Sequence, residues 1–406
     1  MESYDVVIIG GGIIGTSISY YIAKSTNARI LVIEKNQIAQ GNTSLAAGLL
    51  TLARSSTDLV SMVKETNKTI NEIEHESGGK VGLIHSGSVY SSSITQSKKE
   101  MLELVSNAES SGISVELLSD REIKKLLPWI ELPQDSYNVF MPEDGYVDGY
   151  SLCMGYKRMA SKLGIVFQEQ NEVKKILRNG NKITGVETNN GPIACSLVID
   201  AAGVWAGKIA ADVEIFLPMA PVRSQYWLTG NHSTLTNDQP FVILPQVKAY
   251  LRPAENGILF GLREKKSVYV SPNNLPEKMK GYHFKDDPFG WDSLIEGVPG
   301  LEKYFPLVKD LEIAHYIAGF STYTPDGKFV LGGVPGVEGF LSACGCCGSG
   351  IAMSGGIGRV IAELALGNEP FIDIAPHRID RFGIINPFDN DFLVRCAQSR
   401  SEKNSG

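Results

Sequence analysis

The sequence has little basic charge and no long apolar run. It carries 45 Asp and Glu against 38 Lys and Arg, which gives a net charge of −7 at pH 7. Proteins that bind nucleic acids neutralise phosphates with clustered Lys and Arg, and a membrane-spanning helix needs about 20 apolar residues. We therefore expect no nucleic-acid partner and no membrane span, and we expect a soluble protein of the cytoplasm.

The chain also lacks the cysteine patterns of metal-binding and disulfide-dependent proteins. Its cysteines show neither the spaced pairs nor the companion histidines of a zinc site. A chain of 406 residues buries enough apolar surface to fold without disulfides. We expect no metal and a reducing compartment. The six cysteines are Cys153, Cys195, Cys344, Cys346, Cys347 and Cys396.

The apolar run Val6–Ile14 near the N-terminus has no positive residues in front of it. Glu2 and Asp5 precede it, where a signal peptide would carry Lys or Arg. We interpret its first part as a buried strand. Gly10 to Gly15 then form a turn, residues 16–24 a helix and residues 30–33 a second strand, which is a βαβ unit.

No Pro/Gly/Ser-rich linker divides the rest of the chain, so we expect two closely joined lobes of an α/β (α+β) fold. Residues 59–127 are predicted to be mostly helical, with a strand at 87–91. Strands at 170–177, 183–187 and 197–202 are predicted to join the same sheet as the two strands of the βαβ unit, here called the nucleotide sheet. Those at 221–229, 249–253 and 257–262 alternate as in an antiparallel sheet. The last elements are strands at 329–331 and 340–343, a helix at 352–366 and a loose polar tail at 399–406.

These elements predict a Rossmann-type nucleotide-binding domain that is interleaved with an antiparallel-sheet substrate domain. We assign residues 1–85, 145–215 and 320–380 to the first domain and residues 86–144 and 216–319 to the second. Residues 381–406 are assigned to a C-terminal tail.

The βαβ unit carries a dinucleotide fingerprint. Gly10, Gly12 and Gly15 form G-x-G-x-x-G between strand and helix, and Glu34 ends the second strand 19 residues after Gly15. The glycines allow a tight turn, backbone approach to a pyrophosphate and close helix–strand packing, while the acid accepts hydrogen bonds from a ribose. The alternative is a glycine turn that binds nothing. The motif by itself does not distinguish FAD from NAD.

Further motifs resemble those of the D-amino-acid-oxidase-like flavoproteins, which include sarcosine, dimethylglycine and glycine oxidoreductases. The sequence around Thr324 and Gly350 most resembles that of the dimethylglycine and sarcosine dehydrogenase branch, here without the folate-binding domain of those enzymes. The motifs are GNTS at 41–44, AAGL at 46–49, DGYVD at 144–148, VIDAAGVW at 198–205, YLRP at 250–253, TPDG at 324–327 and the glycine-rich segment 345–358.

The resemblance implies FAD, with the fingerprint at the pyrophosphate and residues 41–49 and 348–353 beside the isoalloxazine. The glycine-rich turn before the last helix could instead be only a packing interface. The implied cofactor-binding residues are Gly10, Gly12, Ile13, Ile14, Gly15, Glu34, Lys35, Asn42, Thr43, Ser44, Ala46, Ala47, Gly48, Leu49, Val173, Ala202, Gly203, Trp205, Gly348, Ser349, Gly350, Ile351 and Ala352.

The chain departs from its relatives at the positions that tether flavin or hold a substrate carboxylate. Leu45 and Gly319 stand where some relatives have the flavin-linked His or Cys, which predicts non-covalent FAD. Ser321 and Ala352 stand where an Arg or Lys clamps the carboxylate. The remaining candidate anion anchors are Arg54, Arg223 and Arg252.

The candidate catalytic residues are Tyr250, Arg252 and Tyr323. Leu259 matches the position of an oxygen-activating Lys in monomeric sarcosine oxidases, which favours a dehydrogenase, although molecular oxygen stays open as the acceptor. The predicted reaction is hydride transfer from a secondary or tertiary amine to flavin N5, giving an iminium that water hydrolyses. The substrate would be an N-methyl amino acid or a cyclic imino acid.

Two alternatives stay open. The same fold serves 2-hydroxy-acid and polyol-phosphate dehydrogenases, and it could also serve a non-catalytic FAD-binding assembly factor. No histidine among the six is placed as an obvious acid or base, so the sequence does not identify a catalytic dyad.

Overall fold

The computed structural model describes residues 2–77 and 80–403. The strands in chain order are β1 (Glu2–Ser3), β2 (Val6–Ile9), β3 (Ile30–Ile33), β4 (Leu49–Leu50), β5 (Ser88–Ser92), β6 (Glu116–Leu117), β7 (Tyr137–Met141), β8 (Gly145–Tyr146), β9 (Val166–Gln168), β10 (Val173–Asn179), β11 (Lys182–Thr188), β12 (Gly191–Ala194), β13 (Leu197–Asp200), β14 (Ala220–Thr229), β15 (Phe241–Leu244), β16 (Ala249–Ala254), β17 (Gly257–Leu262), β18 (Ile313–Tyr323), β19 (Val330–Gly332) and β20 (Phe340–Cys344). The helices are α1 (Ile13–Ser25), α2 (Thr57–Ser77), α3 (Thr95–Ser110), α4 (Asp120–Leu126), α5 (Gly149–Lys162), α6 (Ala206–Ala211), α7 (Trp291–Leu301), α8 (Ser354–Ala365) and α9 (Asn390–Glu402).

A six-stranded sheet in the order β19-β20-β13-β2-β3-β9 forms the first lobe. All its neighbouring strands are parallel except β19 and β20. Val6 and Ile8 pack against α1, α2, α5 and α8, while Val7 and Ile9 pack against β10, β11 and α6. Because both faces are covered, β2 reads as an uninterrupted apolar run.

An eight-stranded sheet in the order β18-β14-β17-β16-β15-β5-β7-β6 forms the second lobe. Its neighbouring strands are antiparallel, except for the parallel pair β15 and β5. One face packs on α4 and α7 through Trp227, Phe260 and Leu251. Tyr250 contacts the apolar cluster on the other side, which faces the first lobe. The predicted fold class is therefore confirmed, together with the antiparallel sheet.

The expected return to the nucleotide sheet is only partly right. β13 enters the parallel sheet between β2 and β20. β10 and β11, by contrast, form a separate sheet in the order β1-β12-β11-β10, which covers one face of the parallel sheet. Their alternation of exposed and buried residues matches a sheet with one solvated face.

The prediction of a loose tail is wrong for residues 399–403, and residues 404–406 lie outside the described residues. The helix α9 begins at an N-cap, Asp389, whose side chain accepts hydrogen bonds from the N–H groups of Asp391 and Phe392. Phe392 and Cys396 are buried against β14 and β18. Arg400 is also buried, because Glu264 on the second lobe pairs with it. Such a distant partner leaves no local sequence signal.

The domain boundaries stay a prediction. β18 runs across the expected boundary at residue 320, and a single apolar cluster joins residues of both expected domains. In residues 2–77 and 80–403, no helix is long and apolar enough to cross a membrane.

Candidate active site

The glycine turn after β2 is shaped by close backbone contacts. Gly10 has φ +106°, and a Cβ there would lie 2.5 Å from the carbonyl oxygen of Ala201. A Cβ on Gly15 would lie 1.9 Å from the carbonyl oxygen of Gly10, so α1 packs directly on the turn. On Gly12 a Cβ would meet only the Thr43 hydroxyl, at 3.2 Å. Gly12 is therefore the glycine that opens towards a ligand.

A cavity of about 490 Å³, here called the long cavity, begins at this turn and follows the carboxyl ends of β2, β3 and β13. Gly12, Glu34, Val173, Trp205 and Gly348 lie along its wall. This is the edge at which open α/β sheets bind ligands. The volume lies in the range of small-molecule and cofactor pockets.

The adenosine end of the long cavity would be formed by Glu34 and Lys35. The Glu34 carboxylate accepts hydrogen bonds from the N–H groups of Gly11 and Asn36, each at 2.8 Å. The Lys35 ammonium lies 3.3 Å from the ring centre of Trp205. Burial lowers the pKa of Lys35 to about 8. A carboxylate that is oriented by two N–H groups suits a ribose diol, so the donor set fits a dinucleotide.

At the other end, the short turn 42–45 ties the two lobes together. The Thr43 hydroxyl accepts a hydrogen bond from the N–H of Ile13 at 3.0 Å. The Asn42 side chain accepts from the N–H of Phe320 at 3.0 Å, and it also donates to the carbonyl of Phe320. The wall of the long cavity thus continues from the nucleotide turn onto β18.

A second cavity of about 150 Å³, here called the inner cavity, opens from this end. The two cavities share lining residues, so a molecule in one can contact a molecule in the other. The shared residues are Asn42, Ala46, Phe320, Ser321, Gly348 and Ile351.

Tyrosines and serines form the polar wall of the inner cavity. Tyr250 and Tyr323 both line it. Burial raises the pKa of Tyr250 to about 12, and it raises that of Tyr323 as well. Both phenols therefore stay protonated and can donate hydrogen bonds. The hydroxyl of Ser224 donates to that of Ser321 at 2.8 Å.

Four basic side chains also line the inner cavity: Arg54, Arg263, Arg400 and Lys403. The described part of the lining contains no Asp or Glu. Arg400 pairs with Glu264, which lies behind the wall.

Most of the cofactor residues expected from the sequence lie on these two cavities, but their role as FAD contacts stays a prediction. Gly15 is packed behind the turn. Ser44 is exposed and its hydroxyl donates to Gly41, so neither residue lines a cavity. On the inner cavity alone lie Ala47, Gly48, Leu49, Ser349 and Ala352. On the long cavity lie Gly10, Gly12, Ile13, Ile14, Glu34, Lys35, Asn42, Thr43, Ala46, Val173, Ala202, Gly203, Trp205, Gly348, Gly350 and Ile351.

The structure separates the three arginines that were considered as anion anchors. Arg54 lines the inner cavity. Arg223 is buried in ion pairs with Glu264 and Asp287, at 2.9 and 3.6 Å, and it does not line the cavity.

Arg252 lines neither cavity. Its guanidinium donates to the carbonyls of Ala47 and Pro253 and lies over the ring of Tyr146. Ala47 belongs to the wall of the inner cavity, so the hydrogen bond from Arg252 stabilises that wall. The proposed catalytic role of Arg252 stays a prediction without a contact in its favour.

Sequence reasoning missed Arg263, Arg400 and Lys403, since none of them lies in a recognisable motif. It also missed that Cys346 lines the long cavity. Burial raises the pKa of the Cys346 thiol to about 12, so this cysteine stays protonated. Within the described residues no group of three or more His, Cys, Asp or Glu could hold a metal ion.

The comparison with protein families identifies a match over most of the chain. The family model described as FAD dependent oxidoreductase matches residues 5–364. Residues 365–406, which include α9, lie outside the match.

Two curated relatives cover nearly the whole chain. The mouse (Mus musculus) pyruvate dehydrogenase phosphatase regulatory subunit is 28% identical over 388 residues, which are 94% of this chain and 43% of the relative. Human (Homo sapiens) dimethylglycine dehydrogenase is 27% identical over 387 residues, which are 93% of this chain and 44% of the relative. The chain thus spans less than half the length of these relatives.

Among solved structures, L-proline dehydrogenase from P. horikoshii has the same fold. It superposes with a TM-score of 0.81 at 24% identity, and the match covers 94% of this chain and 98% of that one.

Proposed function

Because the chain belongs to the family of FAD-dependent oxidoreductases, we propose that it oxidises a small secondary or tertiary amine. The substrate class is an N-methyl amino acid or a cyclic imino acid. The carbon–hydrogen bond next to nitrogen is broken, the amine becomes an iminium, and water hydrolyses the iminium to an amine and a carbonyl compound.

The observation that carries this proposal is the inner cavity. It opens into the long cavity at the end opposite Glu34, and its volume of about 150 Å³ suits a molecule the size of a small amino acid. A compound held there lies against whatever occupies the far end of the long cavity. This arrangement supports a reaction between a small substrate and a bound cofactor.

The cofactor is FAD, and the residues of the long cavity fit it. Gly12 and the N-terminus of α1 would hold the pyrophosphate, and Glu34 the ribose. Asn42, Thr43 and residues 348–351 would border the flavin ring. When bound, FAD supplies the acceptor for the two electrons of the reaction.

The chain's own residues would orient the amine and keep its surroundings dry. Tyr250 and Tyr323 offer protonated hydroxyl groups to the substrate. Phe320 and Ile351 cover the passage between the cavities with apolar surface. Exclusion of water strengthens the polar contacts inside such a pocket. The amine must reach the cavity as its neutral form, because a protonated nitrogen has no lone pair to form the iminium.

Three features of this chain support non-covalent binding of FAD. Leu45 lines the inner cavity and has no side-chain atom that could bond to a flavin. Gly319 has no side chain. The Cys346 thiol lines the long cavity but stays protonated at neutral pH. A thiol must lose its proton to become a good nucleophile.

The test is an anaerobic titration of the purified holoprotein, in which the oxidised-flavin absorption band is followed. Proline, sarcosine and other N-methylated amino acids are compared with 2-hydroxy acids. We expect bleaching by at least one amine. Bleaching by hydroxy acids alone would contradict the proposal, as would a protein without flavin. Readmission of air then distinguishes fast recovery in an oxidase from slow recovery in a dehydrogenase that uses another acceptor.

A second candidate function is a non-catalytic FAD-binding subunit. It is favoured by the name of the mouse relative, which is a regulatory subunit. In that case the protein would contain one FAD per chain, yet no amine or hydroxy acid would bleach it. The same titration therefore separates the two candidates.

A further inference from the structure

Lys403 places an ammonium group in the wall of the inner cavity, just after the end of α9. The residue lies outside the segment that the family model matches, which ends at residue 364. Ser321 and Ala352, which also line the inner cavity, carry no charge. The C-terminal segment therefore adds a cation to a pocket that the matched segment alone does not complete.

Three contacts hold the end of α9 in this position. The Lys248 ammonium donates to the carbonyl of Ser401 at 2.6 Å. The Ser401 hydroxyl accepts a hydrogen bond from the N–H of Ser267 at 3.0 Å. The guanidinium of Arg263 donates to the carbonyl of Lys403 itself. The second lobe thus determines the position of Lys403, through contacts to Ser401 and to the carbonyl of Lys403 itself.

The side chain of Lys403 is held by neutral groups. Its ammonium donates to the carbonyl of Cys347 at 3.0 Å and to the hydroxyl of Ser349 at 3.3 Å. None of the ion pairs formed within residues 2–77 and 80–403 includes it. An ammonium has three donors, and these two contacts use two of them. The geometry leaves a donor for a ligand.

We propose that Lys403 is a specificity-determining residue that binds the carboxylate of the substrate in the inner cavity. The inference rests on the proposed function, because it assigns the amine a carboxylate and places it beside Ser349. The substrate class is thereby narrowed to amino acids, as opposed to simple amines. Ser349 and Cys347 orient the ammonium, and the carboxylate supplies the anion that this partly buried charge otherwise lacks.

The titration of Lys403 gives the site a characteristic pH dependence. Burial, followed by the charges of Arg263 and Arg54, lowers the pKa of Lys403 to about 7. Only the protonated form binds an anion strongly, so carboxylate binding should weaken as the pH rises through about 7. Arg400 and Cys347 also affect this titration, and Tyr226, Tyr250 and Tyr323 line the inner cavity, with Glu264 behind its wall. Lys403 also lines another cavity, whose titratable residues are Tyr90, Glu100 and Glu103.

The arginine, cysteine and tyrosine neighbours keep one protonation state between pH 6 and pH 8. The guanidinium groups keep their protons in proteins. Burial raises the pKa of Cys347 and of both tyrosines, so these stay neutral. A change in anion binding between pH 6 and pH 8 that comes from Lys403 should disappear when Lys403 is replaced.

The first experiment compares L-proline and sarcosine with their carboxamides in the wild type and in Lys403→Met. We expect KM for the acids to rise about 10- to 100-fold in Lys403→Met, with kcat within about threefold. KM for the carboxamides should change little, so the variant should lose the preference for the acid over the carboxamide. Lys403→Arg should recover part of the preference. Arg395→Gln, on the exposed face of α9, is the matched control.

Two kinetic results would overturn the assignment. One is an unchanged KM for both acids in Lys403→Met. The other is a fall in kcat at constant KM, which would make Lys403 a proton acceptor and not an anchor.

A binding experiment separates this inference from the proposed function. Propionate, which has no amine to oxidise, is titrated into the oxidised holoprotein by calorimetry at pH 6 and pH 8. We expect binding that is tighter at pH 6 and lost in Lys403→Met. Equal binding by both proteins would overturn the inference even if amines bleach the flavin. If propionate binding depended on Lys403 but no amine bleached the flavin, the anion site would be supported and the proposed amine oxidation would be refuted.

Discussion

Glu34 and Asp200 are two carboxyl groups at the ends of β3 and β13, the strands on either side of β2, and their surroundings differ. Glu34 lies on the long cavity and accepts two backbone hydrogen bonds through its two oxygens. Asp200 is fully buried. One of its oxygens accepts from the N–H of Ala202 at 3.1 Å, and the other has no partner among the described residues. A carboxylate with two donors is stabilised as an anion, whereas a buried one with a single donor is not.

The orientation of Glu34 leads to a prediction for FAD binding. In Glu34→Gln an amide NH₂ replaces one acceptor oxygen and faces a backbone N–H, so one hydrogen bond is lost. We expect FAD affinity to fall about tenfold, since a charge-assisted hydrogen bond contributes about 1.5–3 kcal/mol. Quenching of FAD fluorescence by the apoprotein measures the Kd. Glu338→Gln, at a surface ion pair with Lys182, should leave it unchanged. Equal affinities would show that Glu34 does not contact the cofactor.

For Asp200, burial raises the pKa to about 7 from its ordinary value of 3.8. The folded state therefore favours the protonated acid, and its stability falls as the pH rises from about 4 to about 7, where only the unfolded chain ionises. Asp200→Asn removes this titration. We expect the free energy of unfolding of the variant relative to wild type to increase between pH 5 and pH 7.5, by up to about 3 kcal/mol. Urea unfolding at both pH values measures it. A pH-independent difference would mean that Asp200 is ionised in the fold.

At the scale of single elements, the site combines a turn that is determined by nearby residues with a helix that is determined by distant ones. The turn 10–15 and α1 follow from the local sequence, because Gly10 and Gly15 are required by backbone atoms next to β13 and in the turn itself. The helix α9 depends on distant partners, Glu264 and Lys248 on the second lobe. A polar segment that pairs with distant charges looks like an unstructured tail when it is read alone.

The turn gives a prediction with an internal control. Gly15→Ala would bring a Cβ to 1.9 Å from the carbonyl of Gly10, so the turn or α1 must shift. We expect loss of most bound FAD and a drop in Tm. In Gly207→Ala, on α6, the new Cβ would lie 3.8 Å from Met219, an ordinary contact. That variant should keep its FAD and gain up to about 1 kcal/mol of stability.

Flavin absorbance per protein and thermal unfolding measure both variants. If Gly15→Ala retained full flavin content, the turn would not be the cofactor's pyrophosphate site.

At the scale of the whole molecule, β18 and the turn 42–45 join the lobes through the hydrogen bonds of Asn42 to Phe320. The long cavity lies on the first lobe and the inner cavity between the lobes, so their alignment depends on this contact. Stability and function are therefore coupled through the packing of the last third of the chain. His377 and Phe329 belong to that part, stacked with ring centres 5.1 Å apart.

His377 should make the whole fold sensitive to acid. Its ring nitrogen Nδ1 accepts a hydrogen bond from the N–H of Phe329 at 3.2 Å, and burial lowers its pKa to about 4 from 6.5. The unfolded chain then binds the proton first, so stability falls as the pH drops from 6.5 towards 4. We expect a loss of up to about 3 kcal/mol in the wild type relative to His377→Asn, whose amide oxygen can still accept.

Chemical unfolding of both proteins at pH 7 and pH 4.5 measures this effect. Parallel losses in the two proteins would assign the acid sensitivity to other groups.

Much of the first lobe could be predicted from the sequence. Val6–Ile9 and Ile30–Ile33 are strands with the predicted bounds, and the glycine spacing places the long cavity. Both predictions depend on contacts between residues that are close in the chain or on adjacent strands, which sequence patterns record well. The family resemblance extended this interpretation to FAD and is confirmed by the match over residues 5–364.

The sequence by itself therefore determined the fold class and the nucleotide turn, because local backbone geometry and strand periodicity encode them, and its family resemblance determined the cofactor. Only the tertiary structure decided which cations line the inner cavity. It removed Arg223 into buried ion pairs, bound Arg252 to backbone carbonyls and brought Lys403 from the chain's end into the inner cavity. A side chain's partner is set by residues that are distant in sequence, and no local pattern reports that distance.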